Sequence, residues 1–319
     1  QPRNPALDSA TMMPKPIEFG KVPMQRLMRS KLFVPGSRPE LFAKAAASAA
    51  DALSFDLEDA VAKDRKAEAR TTVASFLRSR SAGDRKVVVV RANSLSSGLF
   101  EDDLGEIVGP GLDVLNLPMV ESGDEVREAA RVLARFEMIA GVKRPIGILA
   151  NIETPKGLRL AADIATADLR VIGLQIGYAD LFEPCGINRS DSQALHHVRL
   201  AVRFAAAEAK VPAYDGAYAV VDKPERYREE CEGARTLGFS GKSCIHPTQV
   251  PIANECFMPR PAEIEKARRI LAAANEAAAK GIGAFVVDGQ MIDEPFLVSA
   301  RAVVALAEQF EPTRTGEGR

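Results

Sequence analysis

From residue 31 onward, short apolar runs alternate with longer helix-patterned stretches until about residue 247. The apolar runs lie at 32–34, 52–55, 87–90, 114–117, 145–153, 171–180, 212–214 and 241–245. They lack period-two alternation, which fits parallel strands covered on both faces, with the stretches between them as crossover helices. Helix patterns begin at Glu40, Asp64, Phe100, Asp124, Asp191 and Pro224. Eight strand–helix units over roughly 230 residues are the length and rhythm of a (β/α)8 TIM barrel, the fold class expected here. A doubly wound open sheet is the alternative, but no GxGxxG follows the first strand. Past the eighth unit the pattern predicts a helix over 262–280, a hairpin turning at Asp288-Gly289, and a last helix over 294–310 with Pro295 in its first turn. The expected organisation is an N-terminal arm over 1–28, a catalytic barrel over 29–260 and a C-terminal helix–hairpin–helix extension over 261–319.

All strand ends of such a barrel converge on one mouth, where catalytic groups sit. Collecting them gives Arg38, Asp56, Glu58, Asp59, Arg91, Glu121, Glu153, Asp180, Asp215 and His246, a set dominated by acids. Crowded carboxylates need a cation or protons to be tolerable. Two successive apolar runs each end in one acid, Glu153 and Asp180, which suggests a two-carboxylate site for a hard cation such as Mg2+. The competing reading is that each acid caps the next helix. Acids together with arginine suit a metal-chelated anionic substrate and a developing enolate oxygen. Asp56 to Asp59 also fit a helix-start cluster, Arg91 a structural ion pair, and His246 a loop hydrogen bond. His196 and His197 fall mid-helix and read as a solvated face. No G-x-S-x-G elbow is present and no lysine stands at a strand end, which disfavours covalent catalysis.

Composition narrows the partners. The chain has 319 residues with 42 basic and 43 acidic side chains, so no basic excess exists to neutralise nucleic-acid phosphates. The apolar runs are far shorter than a membrane span, and no charged–apolar–small signal pattern opens the chain. The four cysteines, at 185, 231, 244 and 256, lack CxxC spacing and read as small apolar fillers of a reduced, cytoplasmic protein.

Seven motifs in order carry a resemblance to a known family. They are Arg29-Ser-Lys-Leu-Phe-Val-Pro-Gly-Ser-Arg-Pro-Glu40, Phe55-Asp-Leu-Glu-Asp59, Val90-Arg-Ala-Asn93, Ile152-Glu153, Gly177-Tyr-Ala-Asp180, Ile245-His-Pro247 and Gly289-Gln-Met-Ile-Asp293. From about Arg29 to Phe310 the chain resembles the citrate lyase beta-subunit-like (CitE-like) proteins of the HpcH/HpaI aldolase superfamily, related to malyl-CoA and citramalyl-CoA lyases. The resemblance implies a TIM barrel that binds Mg2+ through Glu153 and Asp180 and chelates a 2-oxo or hydroxy acid on it. Arg91 matches the substrate-binding arginine, and the backbone at Ala179 and Asp180 also meets substrate. Phe33, Arg38, Lys44, Ile245 and His246 match positions that hold coenzyme A. Asp56 and Glu58 would orient water around the metal. Asp293 matches an acid that the C-terminal extension carries to a neighbouring subunit's active site, which implies a homotrimer or hexamer.

The implied activity is a carbon–carbon lyase acting on a 3-hydroxyacyl-CoA such as malyl-, citramalyl- or citryl-CoA. The partners are then a CoA thioester and a small oxo or hydroxy acid, with neither nucleic acid nor membrane. Alternatives are a metal-dependent aldolase on free keto acids, a hydrolase or synthase sharing the enolate, a citrate lyase beta subunit that needs an acyl carrier, and a CoA- or metabolite-binding protein. Two residues depart from the family pattern: Met119, where relatives commonly have lysine, and Tyr178, where small residues are frequent. The first is expected to leave the mouth more negative, the second to narrow the acid pocket.

Overall fold

The eight apolar runs become eight strands. In the computed structural model, which describes residues 26–310 except 82, 280 and 282, barrel elements alternate along the chain. They are Ser30–Pro35 (β1), Phe42–Ala47 (α1), Ala52–Asp56 (β2), Lys66–Ser79 (α2), Val87–Arg91 (β3), Phe100–Ile107 (α3), Val114–Leu117 (β4) and Gly123–Ala140 (α4). There follow Gly147–Ile152 (β5), Pro155–Arg159 (α5), Ala161–Thr166 (α6), Val171–Ile176 (β6), Tyr178–Phe182 (α7), Ser192–Glu208 (α8), Ala213–Asp215 (β7), Pro224–Thr236 (α9), Gly241–Cys244 (β8) and Gln249–Cys256 (α10). Every neighbouring pair is parallel, and β8 closes on β1 with Lys31 opposite Ser243. The TIM barrel is thus the fold, and the open-sheet alternative falls. The helices α5, α6, α7 and α10 were not anticipated; the first three are short, and α10 follows the last strand directly.

Period two along each strand sorts side chains between two environments. Outward residues such as Val34, Phe55, Val88, Val90, Leu115, Ile148 and Leu174 form the main core with the helices. There Phe55 packs edge-on to Phe42 and tilted against Phe76, each at 4.7 Å between ring centroids. Inward residues at the lower end, Met28, Ala52, Val87, Val89, Val114, Leu149 and Tyr214, form a separate apolar plug. One step nearer the mouth, the inward positions turn polar: Lys31, Ser54, Asn116, Asn151, Gln175 and Ser243, all buried.

The extension consists of Pro261–Ala279 (α11), Phe285–Val287 (β9), Gln290–Ile292 (β10) and Glu294–Phe310 (α12). Asp288 and Gly289 have φ of 52° and 78°, as a two-residue hairpin of matching twist requires. Ala267, Ile270, Val287, Ile292, Leu297 and Ala300 give this unit a core of its own. The last turn of α12 returns to the lower end of the barrel, where Gln309 exchanges hydrogen bonds with the Leu27 backbone. The predicted arm up to residue 25 and the tail from 311 lie outside the described residues.

Candidate active site

A cavity of about 740 Å³ opens at the C-terminal ends of the strands. Phe33, Asp56, Asp59, Arg91, Glu153, Ala179, Asp180 and Ile245 line it, together with Asn151, Gln175 and Ser243 from the polar layer below. The expected mouth residues therefore converge, with exceptions explained by direction. Asp215 was expected among them, but it follows inward-facing Tyr214 and so points out of the barrel. There it binds Arg199 at 2.9 Å, Lys242 at 2.5 Å and the Tyr178 hydroxyl at 2.7 Å. Lys242, outward on β8, also reaches Glu230 at 3.0 Å. Glu121 pairs with Lys156 at 3.2 Å outside the cavity.

Of the proposed coenzyme A positions, Phe33 and Ile245 line the cavity, whereas Arg38, Lys44 and His246 stand exposed outside it. Arg38 is paired with Glu40, and His246 Nδ1 lies 2.8 Å from the Thr248 hydroxyl. Asp293 precedes α12 and is not among the residues lining this cavity. Its Oδ1 is buried and has no partner among the described residues.

Arg91 is the cation that ends β3 at the mouth, and it is already engaged. Its Nε and Nη2 donate to the two oxygens of Asp56 at 2.8 and 2.7 Å, while Nη1 lies 2.9 Å from Glu58 and 3.2 Å from Asp59. The ion-pair reading of Arg91 is therefore what the structure shows, at the wall of the cavity. Burial opposes the charge on Asp56, but the Arg91 bonds outweigh it and hold that carboxyl below its usual value. Glu58 is pushed up to about 8 by burial, against the attraction of Arg91 and with repulsion from Asp59 and Glu153.

Glu153 and Asp180 have no ion-pair partner among the described residues. Glu153 is buried; Oε1 accepts the Met119 N–H at 2.6 Å and Oε2 accepts from Asn151 at 3.1 Å. Thr154, not Glu153, caps α5, so the capping alternative fails for that acid. Burial pushes Glu153 up to about 7; the Met119 bond and Arg91 oppose this and Asp180 adds to it. Asp180, in the first turn of α7 rather than on a loop, is raised by burial and then by Asp59. Gly177 leaves the space they need, because a Cβ there would overlap the Glu153 carboxylate.

Such a pair fits a hard cation. Both acids lack a counter-charge and face one cavity. No cluster of three or more His, Cys, Asp or Glu side chains that could hold a metal occurs among the described residues. Two carboxylates with open positions left for water and substrate are the arrangement Mg2+ tolerates.

Met119 acts here through its backbone. It sits at φ 54°, with its side chain exposed and its N–H on Glu153. The expectation that its side chain sets the charge of the mouth is not what this geometry favours. Tyr178 is buried, bonded to Asp215, and stacked under the Arg189 guanidinium at 4.2 Å. It lines the cavity while fastening α7 to β7.

The sequence reading missed the polar floor. Asn116 donates to Asn151 at 2.7 Å, Gln175 donates to Asn151 at 3.1 Å, and Ser243 reaches Gln175 at 3.4 Å. Lys31 is fully buried beside them, 3.5 Å from the Ser54 hydroxyl and under the Phe33 ring at 4.0 Å. Burial, with Arg91 adding, lowers its pKa well below the usual lysine value. The signal was an isolated polar residue inside otherwise apolar runs: Ser54, Asn116, Asn151 and Gln175.

Comparison with known proteins gives this site its context. Residues 29–247 match the family model described as HpcH/HpaI aldolase/citrate lyase. The chain belongs to that family. Its class is carbon–carbon lyase. Citrate lyase subunit beta of Leuconostoc mesenteroides is 34% identical over 287 residues, covering 89% of this chain and 94% of that one. A (3S)-malyl-CoA thioesterase of Cereibacter sphaeroides is 37% identical, covering 88% of this chain and 94% of that one. Among solved structures, CitE of Mycobacterium tuberculosis in complex with magnesium, acetoacetate and coenzyme A superposes with a TM-score of 0.68 at 33% identity, covering 88% of this chain and 97% of that one. No helix among the described residues is long and apolar enough to cross a membrane.

Proposed function

We propose that this lyase cleaves or forms a 3-hydroxyacyl-CoA such as malyl-, citramalyl- or citryl-CoA, with Mg2+ held by Glu153 and Asp180. The observation that carries the reading is the contrast within one cavity: Arg91 gathers three acids while Glu153 and Asp180 are left without a cation. Magnesium, where bound, supplies Lewis-acid stabilisation of substrate carboxylate and hydroxyl oxygens. The magnesium, acetoacetate and coenzyme A of the M. tuberculosis relative support that choice of ligands.

The chain's own residues then divide the work. Arg91, fixed by Asp56 and Glu58, stands in the cavity wall, where its charge offsets negative charge that develops on substrate oxygen. Asp56 and Glu58 both hold Arg91 in place. The floor formed by Asn151, Gln175 and Ser243 offers hydrogen bonds to the small acid, and the Ala179–Asp180 backbone borders it. Phe33 and Ile245 form the apolar wall, with Arg38, Lys44 and His246 beyond it for the coenzyme A portion. In the cleavage direction the hydroxyl proton is lost and a carbonyl forms on the keto acid or glyoxylate. The broken carbon–carbon bond leaves its electron pair as an acyl-CoA enolate, whose carbon then takes a proton.

Asp293 is the donor of that proton, supplied from a neighbouring subunit of a homotrimer or hexamer by the 261–319 extension. Support comes from its position outside its own chain's cavity and from the exposed apolar residues around it, Val286, Met291, Phe296 and Val298. General acid–base help of this kind is worth roughly 10²–10⁴-fold, so Asp293→Asn is expected to lose about that factor in turnover while still binding Mg2+. Full turnover by that variant would reject the assignment. The protein is placed in the cytoplasm on its thiol content and CoA chemistry.

The deciding assay offers the purified protein malyl-CoA, citramalyl-CoA and citryl-CoA with Mg2+ or EDTA. Metal-dependent release of acetyl-CoA and a keto acid establishes the lyase and names its substrate. Free CoA instead of acetyl-CoA would point to hydrolysis, a second reading favoured by the thioesterase relative. No turnover of any thioester would reject the autonomous enzyme and favour a carrier-dependent subunit, as the citrate lyase beta relatives are named.

A further inference from the structure

Lys66 is the first residue of α2, and a cation at that end of a helix opposes the helix dipole. Its ammonium donates to three oxygens: the Leu57 carbonyl at 2.9 Å, the Glu58 carbonyl at 2.8 Å and the Asn93 side-chain oxygen at 2.6 Å. An ammonium has three hydrogens, so these bonds use every donor it owns. None of the three acceptors is a carboxylate. The charge is therefore spent on gathering backbone and amide oxygens rather than on an ion pair.

Those oxygens belong to two neighbouring strand ends. Leu57 and Glu58 follow β2, Asn93 follows β3, and the register sets Asp56 beside Arg91 between them. Asn93 is buried and anchored from α3: its N–H and its side-chain amide both donate to Asp103 at 2.7 Å, and Asp103 accepts from Arg70 at 2.9 Å. The turn after β2 is gripped on both faces. Asp56 accepts the Glu58 and Ala60 N–H groups at 3.0 Å each, while Lys66 takes the Leu57 and Glu58 carbonyls. That turn carries Glu58 and Asp59, the two acids that close on Arg91 Nη1. Two devices thus fix the guanidinium. Asp56 holds Nε and Nη2 directly, whereas the partners of Nη1 stand where the turn puts them.

We propose that Lys66 is a positioning residue for the lyase reaction: by holding the Leu57 and Glu58 carbonyls against Asn93, it places Glu58 on Arg91. Lys66 does not line the cavity, so it acts through the turn and not on substrate. The assignment rests on the reading of Arg91 as the group that offsets developing negative charge. Loss of Lys66 leaves Arg91 charged and paired with Asp56 but releases its Nη1 side. Charge held ready for the transition state favours turnover more than binding, so the effect falls on kcat.

Four proteins test this: the unmutated chain, Lys66→Met, Glu58→Ala and the double variant. Methionine keeps the length and helix preference of lysine, so α2 should start as before. Each is assayed for Mg2+-dependent cleavage of malyl-, citramalyl- and citryl-CoA. Lys66→Met should lower kcat about tenfold and leave KM within about threefold. Added to Glu58→Ala it should lower kcat by no more than about threefold, because no carboxylate is left to place. An equal loss in both backgrounds would reveal a structural effect alone and overturn the proposal, as would full turnover by Lys66→Met. Urea unfolding of the same four proteins reads the link without turnover. The effects of the two single changes on the unfolding constant should miss that of the double variant by about fivefold or more; effects that simply multiply would overturn the proposal. An unmutated protein that cleaves no thioester would reject the lyase reading itself, and the unfolding cycle would still judge the coupling of Lys66 to Glu58.

Discussion

Glu153 makes the stability of the metal-free protein depend on pH in a direction that can be worked out. Its carboxyl is raised from 4.5 to about 7, mainly by burial. Between those values the folded state holds a proton that the unfolded chain has released. Stability therefore falls as pH rises through this window, and the contribution is gone above about 7. A shift of that size corresponds to about 3 kcal/mol. Glu58, raised to about 8, slopes the same way, so the group must be isolated by difference. Glu153→Gln removes the titration and adds only a pH-independent offset where its amide meets the Met119 N–H or Asn151. Urea unfolding in EDTA at several pH values between 5 and 8.5, followed by circular dichroism, should show wild type losing about 3 kcal/mol relative to the variant. Magnesium at about one hundred times its dissociation constant should return about 2.7 kcal/mol to wild type and little to the variant. Parallel pH curves for the two proteins would refute the burial argument. Equal stabilisation of both by Mg2+ would refute the assignment of the ligand.

Other perturbations probe the same mouth. Gly177→Ala places a Cβ against the Glu153 carboxylate and 2.6 Å from the Glu153 Cβ; the Mg2+ concentration for half activity should rise about tenfold or more, and an unchanged activation curve would count against the site. Arg91→Met strands Asp56 and Glu58 without their cation and should cost about 3–5 kcal/mol in urea unfolding, part of it recovered by adding Asp56→Asn. Met119→Lys keeps the backbone bond to Glu153 and changes an exposed side chain, so turnover and Mg2+ affinity should stay within about threefold, as for surface changes of about 0.5 kcal/mol.

Strands, helices and the barrel were legible because they rest on local pattern: valine runs, alanine-rich helices and acid-led helix starts repeat at a spacing few folds share. Glu153 and Asp180 were legible too, since each ends an apolar run. The missed features depend on parity and on neighbours distant in sequence. Asp215 ends its strand as Glu153 does, but Glu153 follows inward Asn151 by two residues while Asp215 is adjacent to inward Tyr214. One residue of register turns one acid into the cavity and the other against Lys242 and Arg199. Arg91 was read correctly as unusual, yet its closure on three acids needs the β2–β3 register that places Asp56 beside it. Short α10 has the least amphipathic pattern to detect, and its Gln249 and Asn254 bond to partners distant in sequence.

The charge balance of the mouth follows from these placements. Asp56, Glu58, Asp59, Glu153 and Asp180 surround one fully engaged guanidinium. Arg189 lines the same cavity, but its charge is committed to Glu230 at 2.9 Å and to the Ala217 carbonyl. Lys31 lies just beneath, but burial disfavours its ammonium form. Arg91 and Arg189 could therefore neutralise Glu153 and Asp180 only by abandoning a buried partner, a rearrangement that costs several kcal/mol, while the remaining cation of the lining, Lys223, is solvent-exposed. Two protons or one divalent cation can satisfy the pair. Near neutral pH the protons become progressively unavailable as Glu153 passes about 7, and the cation becomes the better solution.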